Sequence, residues 1–339
     1  MLALLRNYHR GAPSPKPTLF PTISSRAFHK NVSHLHRSYL YVPCSSEKML
    51  EKSLKCGSDV VIYDLEDSVS PKPEDKAAAR RRLKSFLRDR SESGLKQMNV
   101  SVRVNSVSTP LFQQDIADIV SESLVDSIVL PKIHSKDDLD IVAAAVSRAR
   151  TNFDQKPLEI IPSIESAKGM FNIGSIAAWS PSATGNSRGG VISALMFAAE
   201  DYCADTKIIR TITRHELLYT RSQIVITAKA FGLEAIDMVC INYKDPEFLK
   251  DEASEARRLG FTGKQAIHPT QIEVINKAFV PTAEEIHLAA RIVKAMDEAH
   301  GAQRGAVGLD GVMIDAPMIL QAQITLKVAK DAGLDIPSV

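Results

Sequence analysis

VVIYDLEDSV, residues 60–69, passes from an apolar run into an acidic one. The run over residues 60–63 is apolar without interruption, and this pattern predicts a strand that is buried on both faces. Asp64, Glu66 and Asp67 follow at once, so three carboxylates stand where the strand ends. Clustered carboxylates repel one another and are unfavourable beside an apolar core. We therefore expect a positively charged partner, either a side chain or a cation, at this strand end.

The same alternation of a short apolar run and a helical pattern repeats along the chain. Strands are predicted at 38–43, 59–64, 100–104, 127–131, 158–163, 191–198, 235–241 and 264–267. Helices are predicted at 47–56, 74–89, 111–122, 135–150, 166–178, 210–231, 246–259 and 270–279. Strands that are each followed by a helix predict an α/β fold, here a (β/α)8 TIM barrel. A doubly wound parallel sheet is the alternative.

The beginning of the chain has a different composition from the rest. The formal net charge is +2, yet residues 1–46 contain six Lys and Arg and no Asp or Glu. Without those six, 36 basic residues stand against 40 acidic ones. An Arg-rich, Ser-rich segment without acids is typical of a mitochondrial transit peptide, and we assign residues 1–36 to one. A basic nucleic-acid-binding arm is the alternative.

The barrel is predicted to occupy residues 37–280, and a C-terminal helical arm residues 281–339. Two further helical patterns, at 282–300 and 316–333, define this arm. The Gly-rich stretch 301–317 between them predicts a mobile segment, which could be a lid or a partner-contacting arm. No apolar run of about 18 residues occurs, so a membrane span is not expected. The four cysteines are scattered without a C-x-x-C pair, which favours neither a zinc ribbon nor a disulfide scaffold and points to a reducing compartment.

A TIM barrel carries its active site at the C-terminal ends of its strands. Glu165 follows the fifth predicted strand, and Asp201 ends the sixth. Mg²⁺ takes one or two carboxylates together with waters and substrate oxygens, so these two residues are candidate ligands. Each could instead only cap the helix that follows it.

Three basic side chains are candidates for binding a substrate. Arg103 follows the third strand, where its guanidinium could bind a carboxylate or form an internal ion pair with Glu66 or Asp67. Lys48 and Lys52 share one helix face and could hold phosphates, although a solvated charge pair is the usual explanation for two such lysines.

His268 follows the eighth predicted strand in GKQAIHPTQI. It has no second His at a metal-ligand spacing and no Cys or Ser beside it as a nucleophile, so a hydrogen-bonding or binding role is favoured. The nearby GFTGK does not have the spacing of a P-loop.

A set of motifs identifies a family. They are RSYLYVP, DLEDSV with KAAAR after it, VRVN, LPK, PSIESAKGM, AEDY, KAFGLEAIDMV and GFTGKQAIHPTQI. In this order, over residues 37–333, they resemble the citrate lyase β-subunit-like family of the HpcH/HpaI aldolase superfamily. The segment GVMIDAPMILQAQ most resembles the members of the family that cleave citramalyl-CoA. The resemblance implies a Mg²⁺-dependent barrel, usually a homotrimer, that acts on acyl-CoA thioesters, with neither nucleic acid nor a membrane as partner.

The resemblance also implies roles for individual residues. Glu165 and Asp201 match the two metal ligands, and Arg103 matches the arginine that binds the substrate carboxylate. Positions that match CoA or substrate contacts are Tyr41, Lys48, Lys52, Ile267 and His268, with Lys72 as a weaker candidate because the spacing around it differs. Asp315 matches an aspartate that the arm supplies to a neighbouring subunit's active site, where we expect it to act as acid and base.

The remaining acidic residues of the opening stretch are expected to play supporting roles. Glu66 and Asp67 would orient metal-bound water and Arg103 without touching the metal, and Asp64 would hold the strand-end backbone. Two departures from the family pattern, Cys44 in place of a glycine and Ala198-Ala199 in place of Gly-Gly, are expected to line the site.

We therefore expect a carbon–carbon lyase that cleaves (3S)-citramalyl-CoA reversibly into pyruvate and acetyl-CoA in the mitochondrial matrix. A malyl-CoA thioesterase or malate-synthase-like enzyme, a citrate lyase β-subunit, and a non-catalytic CoA- or metal-binding protein are the alternatives.

Overall fold

A closed parallel barrel forms the centre of the protein. The computed structural model describes residues 35–92, 99–150, 156–181, 188–301 and 306–339. The predicted transit peptide therefore lies outside the described residues, except for its last two positions. In chain order, the strands of the barrel are β1 (Ser38–Pro43), β2 (Val60–Asp64), β3 (Asn99–Arg103), β4 (Ser127–Leu130), β5 (Glu159–Ile164), β6 (Val191–Ile192), β7 (Ala194–Phe197), β8 (Glu234–Asp237) and β9 (Gly263–Ala266).

The strand pairing decides between the two predicted topologies. Neighbouring strands pair in parallel in the order β4-β3-β2-β1-β9-β8-β7-β5, and β4 pairs again with β5. Strands β6 and β7 both pair with β5 and are separated only by Ser193, so together they fill one position. The described chain thus closes into a barrel of eight positions, which confirms the (β/α)8 prediction and excludes the doubly wound sheet.

Helices surround the barrel and follow its strands. They are α1 (Glu47–Ser53), α2 (Pro73–Glu92), α3 (Pro110–Ile119), α4 (Lys136–Ala149), α5 (Ala167–Phe171), α6 (Ile173–Ala177), α7 (Ala199–Thr206), α8 (Leu218–Ala230), α9 (Pro246–Leu259) and α10 (Ile272–Ala278). Short 3-10 turns, His215–Leu217 and Pro269–Gln271, precede α8 and α10. Local chemistry fixes several starts: Ser135 and Asp138 form a capping box at α4, and the Asp245 carboxylate caps α9 ahead of Pro246.

The core has two layers that alternate along each strand. In β2, Val60 and Ile62 belong to a small cluster inside the barrel, while Val61 and Tyr63 pack in the large cluster between the strands and the helices. Because successive side chains of a strand point to opposite faces, both faces of β2 are apolar and buried. This is the physical reason for the uninterrupted apolar run in its sequence.

The barrel closes tightly where its first and last strands meet. Strand β1 pairs with β9, and the backbone N–H of Lys264 donates to the Arg37 carbonyl at 2.8 Å. At Gly263 a Cβ would lie 2.3 Å from the His36 carbonyl oxygen. Only glycine fits there, since the entering chain passes directly over this backbone.

Several predicted elements differ in the structure. The predicted helix 166–178 is divided into α5 and α6, and the predicted helix 210–231 begins as α8 only at Leu218. The apolar run 191–198 gives way to helix α7 at Ala199, a helix that the sequence patterns did not predict. The stretch 301–317 contains regular structure that the sequence patterns did not predict. Its described part contains the hairpin β10 (Val307–Leu309) and β11 (Val312–Ile314), with Asp310 and Gly311 at positive φ in the turn.

The hairpin lies between two long helices, α11 (Ala283–Gly301) and α12 (Ala316–Asp331). These helices pack on each other around a separate apolar cluster that includes Ile292, Met296 and Ile314. Both helical patterns beyond residue 281 are therefore helices in the structure, while their role as an arm stays a prediction. Among the helices of the described ranges, none is both long and apolar enough to cross a membrane.

Candidate active site

The acidic stretch that ends β2 finds its principal partner on the neighbouring strand. Asp64 and Arg103 are paired positions of β2 and β3. Arg103 Nε donates to Asp64 Oδ1 at 2.7 Å, and Nη2 donates to Oδ2 at 2.6 Å. Glu66 and Asp67 lie farther away, at 3.2 and 3.5 Å from Nη1. Arg103 is therefore a positive partner of the stretch, and its main ion pair is with Asp64, not with the two residues weighed from sequence.

Asp64 also organises the turn that follows it. Its carboxylate accepts hydrogen bonds from the backbone N–H groups of Glu66 at 2.9 Å and Ser68 at 3.2 Å. Burial by itself would raise the pKa of Asp64, but the hydrogen bonds and charge of Arg103 outweigh it and lower the pKa. Asp64 thus holds the strand-end backbone, as expected, and carries the ion pair in addition.

Tyr41 fixes Arg103 from a second direction. The guanidinium carbon lies 4.8 Å from the centre of the Tyr41 ring, which is a cation–π contact. The Tyr41 hydroxyl donates to Gln265 Oε1 at 3.0 Å, so the ring itself is held. Burial raises the pKa of Tyr41 and keeps the hydroxyl protonated. Arg103 is consequently preorganised before any ligand binds.

Lys132 connects the two buried glutamates. Its backbone has φ +56°, an uncommon conformation for a residue with a side chain. In this conformation its N–H donates to Glu165 Oε2 at 3.1 Å, and its Nζ donates to Glu66 Oε1 at 2.9 Å. Glu66 and Glu165 are only 5% and 6% exposed. Lys132 stands at a predicted strand end, in LPK, but the sequence analysis gave it no role.

Glu165 is electrostatically the most perturbed of the candidate ligands. Burial raises its pKa from 4.5 to about 7, and the nearby carboxylates of Asp201 and Glu66 act in the same direction. A buried carboxylate that faces two others at neutral pH needs added positive charge to ionise fully. Oε2 of Glu66, also buried, has its ion-pair contact with Arg103 Nη1 at 3.2 Å but accepts no hydrogen bond from the described residues.

Asp201 is not at a strand end as predicted, but in the first turn of α7, where it is exposed. The helix still brings it to the rim that holds Glu165. Asp205, in the same helix, accepts a hydrogen bond from the N–H of Ala167 at 2.8 Å, two residues after Glu165. Ser166 caps α5, so the capping alternative is wrong for Glu165. Asp201 lies in the first turn of α7, where its charge also stabilises the helix N-terminus.

The donor set of this rim suits a hard divalent cation. Within the described ranges no three His, Cys, Asp or Glu side chains form a ready-made metal site. Two carboxylates with the remaining positions left to water and substrate are nevertheless the usual protein contribution for Mg²⁺. Glu165 and Asp201 therefore fit the ion on chemical grounds, and their assignment as ligands stays a prediction.

A buried lysine that the sequence analysis missed, Lys76, donates hydrogen bonds to the backbone of the acidic turn. Lys76 Nζ donates to the carbonyl oxygens of Leu65 at 2.8 Å and Glu66 at 2.7 Å, and to Asn105 Oδ1 at 2.9 Å. Lys76 falls on the same face of α2 as Ala79 and Leu83. The sequence could have identified Lys76 as buried, because it occupies a position of the helix where the pattern calls for an apolar residue.

The residues predicted to contact CoA lie on loops that are neighbours in the barrel. Lys48 and Lys52 are exposed on α1 after β1, and Lys72 is exposed before α2, after β2. Ile267 and His268 follow β9, and both backbone N–H groups donate to Gln271 Oε1. Since β2, β1 and β9 are adjacent, these loops share one side of the mouth. Their role in binding CoA stays a prediction.

Three other predicted positions do not lie among the strand-end side chains. Cys44 is fully buried in the outer cluster, where burial raises its pKa, so its thiol does not line the site. Ala199 is buried in the same cluster. Asp315 caps α12 by accepting from the Met318 N–H at 3.3 Å. Within the described chain its carboxylate has no hydrogen bond to the rim.

Comparison with known proteins agrees with this architecture. The family model described as HpcH/HpaI aldolase/citrate lyase matches residues 37–269. A mitochondrial citramalyl-CoA lyase of Rattus norvegicus is 34% identical over 338 residues, which cover 97% of this chain and 98% of the relative. The citrate lyase subunit beta of Leuconostoc mesenteroides subsp. cremoris is 32% identical, over 88% of this chain and 95% of the relative.

A solved structure is similar as well. Protein CitE from Mycobacterium tuberculosis, in complex with magnesium, acetoacetate and coenzyme A, superposes with a TM-score of 0.67 at 28% identity. The superposition covers 88% of this chain and 98% of that one. The likeness therefore extends through the barrel and into the arm.

Proposed function

The chain belongs to the HpcH/HpaI aldolase/citrate lyase family, and on that premise we propose that it is a Mg²⁺-dependent carbon–carbon lyase. Its substrate is (3S)-citramalyl-CoA, and its products are pyruvate and acetyl-CoA. The observation that carries this proposal is the buried Glu165, paired with Asp201 on the rim that also presents Arg103. The similarity to citramalyl-CoA lyases over nearly the whole chain supports the choice of substrate.

Glu165 and Asp201 hold the magnesium ion. The bound ion supplies Lewis-acid polarisation of the substrate oxygens. Arg103 binds the substrate carboxylate that becomes the carboxylate of pyruvate. Its guanidinium is already fixed by Asp64 and Tyr41, so little reorganisation is needed when the substrate binds.

The reaction breaks the bond between the carbinol carbon and the adjacent methylene of the acyl chain. The substrate hydroxyl loses its proton as that carbon becomes the keto carbon of pyruvate. The electron pair passes to the methylene carbon, which takes up a proton and becomes the methyl group of acetyl-CoA. Asp315 is our candidate for the group that delivers this proton and removes it in the reverse direction.

Asp315 lies on the arm and caps α12 in its own chain. We therefore propose that it reaches the active site of a neighbouring subunit in a homotrimer. Tyr41, Lys48, Lys52, Lys72, Ile267 and His268 are proposed to contact the substrate or its CoA. The mitochondrial relatives and the basic leader support a location in the mitochondrial matrix.

The proposal is tested with a panel of CoA thioesters, namely citramalyl-, malyl-, β-methylmalyl- and citryl-CoA, incubated with Mg²⁺ and followed by product identification. We expect pyruvate and acetyl-CoA from citramalyl-CoA as the fastest conversion. Free CoA and malate from malyl-CoA, without citramalyl-CoA cleavage, would overturn the proposal in favour of a thioesterase. Oxaloacetate from citryl-CoA as the main product would instead favour a citrate lyase β-subunit.

A further inference from the structure

The lysine of GFTGK belongs to a buried ion network. Lys264 Nζ lies 3.1 Å from an Asp237 oxygen and 2.8 Å from a Glu252 oxygen, and it donates to the Met238 carbonyl at 2.7 Å. The side chains of Lys264, Asp237 and Glu252 are 0% exposed. Because buried charges require close partners, the three side chains hold β8, β9 and α9 in fixed positions.

Arg210 extends this network toward the rim of the barrel. It lies in the segment between α7 and α8, and its side chain is 11% exposed. One edge of the guanidinium reaches Glu252 Oε2 and the Val239 carbonyl, each at 3.2 Å. Its other nitrogen, Nη1, donates to the carboxylate of Glu200. Arg210 is thus the link between the buried network and the first turn of α7.

That turn carries Asp201, and on the side of Tyr202 it is anchored in the core: the Tyr202 ring packs edge-on against Phe197 at 5.5 Å, and its hydroxyl accepts from Thr220 Oγ1 at 3.2 Å. The N-cap residue of α7, Ala198, has no side chain that could accept a hydrogen bond from the turn. The far end of α7 is held by Asp205, which accepts from the Ala167 N–H. Glu200, next to Asp201, is held by Arg210. Asp201 therefore lies between two anchors, the buried Tyr202 and the Glu200–Arg210 contact that continues to Glu252.

We propose that Arg210 is a positioning residue for Asp201, which it holds in place for the metal by fixing Glu200 against the buried Glu252–Lys264–Asp237 network. This inference rests on the proposed function, because it takes Glu165 and Asp201 as the metal ligands. Its readout is metal affinity, so it is tested separately from the choice of substrate.

The experiment is calorimetric titration of the full chain with Mg²⁺ alone, beginning from protein treated with a chelator. Loss of a residue that orients a ligand typically weakens metal binding about 10- to 100-fold. We expect a loss of that size for Arg210→Gln. Glu200→Gln, at a side chain that is 48% exposed, should fold and weaken binding in the same direction.

Arg214→Gln is the matched control. Arg214 is as buried as Arg210 and pairs with Asp251 at 2.7 Å and Glu255 at 2.8 Å, but it does not touch the α7 turn. Arg214 is joined to Asp237 through Glu255 and Arg221, so the variant disturbs the same buried network without removing the contact to Glu200. It should lower the thermal unfolding midpoint and leave the Mg²⁺ affinity within about twofold of the wild type.

Three outcomes would overturn the inference. Unchanged Mg²⁺ affinity in both Arg210→Gln and Glu200→Gln would remove Arg210 from any positioning role. An equal loss in Arg214→Gln would show that the effect is general destabilisation. A wild-type chain that binds no Mg²⁺ would overturn the metal assignment itself, and with it this inference. If Arg210→Gln does not fold, Glu200→Gln decides between the first outcome and the proposal.

Discussion

Replacing Glu165 with glutamine should stabilise the metal-free protein and abolish its Mg²⁺ binding. In the folded chain, burial and two neighbouring carboxylates raise the pKa of Glu165 from 4.5 to about 7. At about 1.4 kcal/mol for each pKa unit, this rise corresponds to about 3 kcal/mol of native-state free energy. Glutamine removes the charge that is unfavourable there and keeps an oxygen that can accept the Lys132 N–H.

The sign of the pH dependence follows from the raised pKa. An ionised Glu165 destabilises the native state fully above pH 7, and this penalty declines as the pH falls through 7 toward 4.5. The variant should therefore gain about 3 kcal/mol over the wild type at pH 8.5, but only about 1 kcal/mol at pH 5.

Thermal unfolding in EDTA at these two pH values measures the difference. Glu247→Gln, at an exposed side chain of α9, is the control and should change stability by less than about 0.5 kcal/mol. Mg²⁺ should raise the midpoint of the wild type and the control but not that of Glu165→Gln. Equal midpoints for wild type and Glu165→Gln at pH 8.5, or a difference that does not shrink at pH 5, would refute the reasoning.

The other predictions concern the groups around this rim. Arg103→Lys keeps the charge but cannot hold both oxygens of Asp64, so kcat/KM should fall about 100-fold in steady-state assays; an unchanged value would contradict the carboxylate-binding role. Lys76→Met leaves buried carbonyl groups without a donor and should lower the free energy of unfolding by about 2–4 kcal/mol in thermal denaturation. Asp315→Ala should abolish turnover yet bind Mg²⁺ normally by calorimetry, whereas Asp310→Ala in the same arm should remain active. Loss of metal binding in Asp315→Ala would contradict its role as acid and base.

The fold could be predicted because its main determinant is local. A strand buried on both faces must be apolar at every position, and the helices between strands must be apolar on one face. The alternation of strands and helices can therefore be recognised from the pattern of apolar residues alone. Helix α7 was missed for the same reason. Its first residue, Ala199, continues the apolar run of β7, and no Ser, Thr, Asp or Asn marks the helix start at Ala198.

The sequence places polar side chains at the strand ends, but it does not determine how they pair. Sequence placed Arg103 near three carboxylates, and only the register of β2 against β3 selects Asp64 as the one directly opposite. Lys132 makes its two contacts from a backbone conformation with φ +56°, which no local sequence pattern predicts. The proposed role of Asp315 depends on where the arm lies relative to an active site. That position is set by tertiary and quaternary structure, which no local sequence pattern predicts.

The joint between β1 and β9 has a consequence for how the protein acquires its structure. Ser38 pairs with Lys264, so the two edges of the sheet that meet there come from opposite ends of the barrel's sequence. During synthesis the first strands emerge long before their closing partner, and β1 remains an unpaired edge that can associate with other chains. Contacts between such distant residues form slowly. We therefore expect the ring to close only after the whole barrel has been made, and the growing chain to need protection of that edge until then.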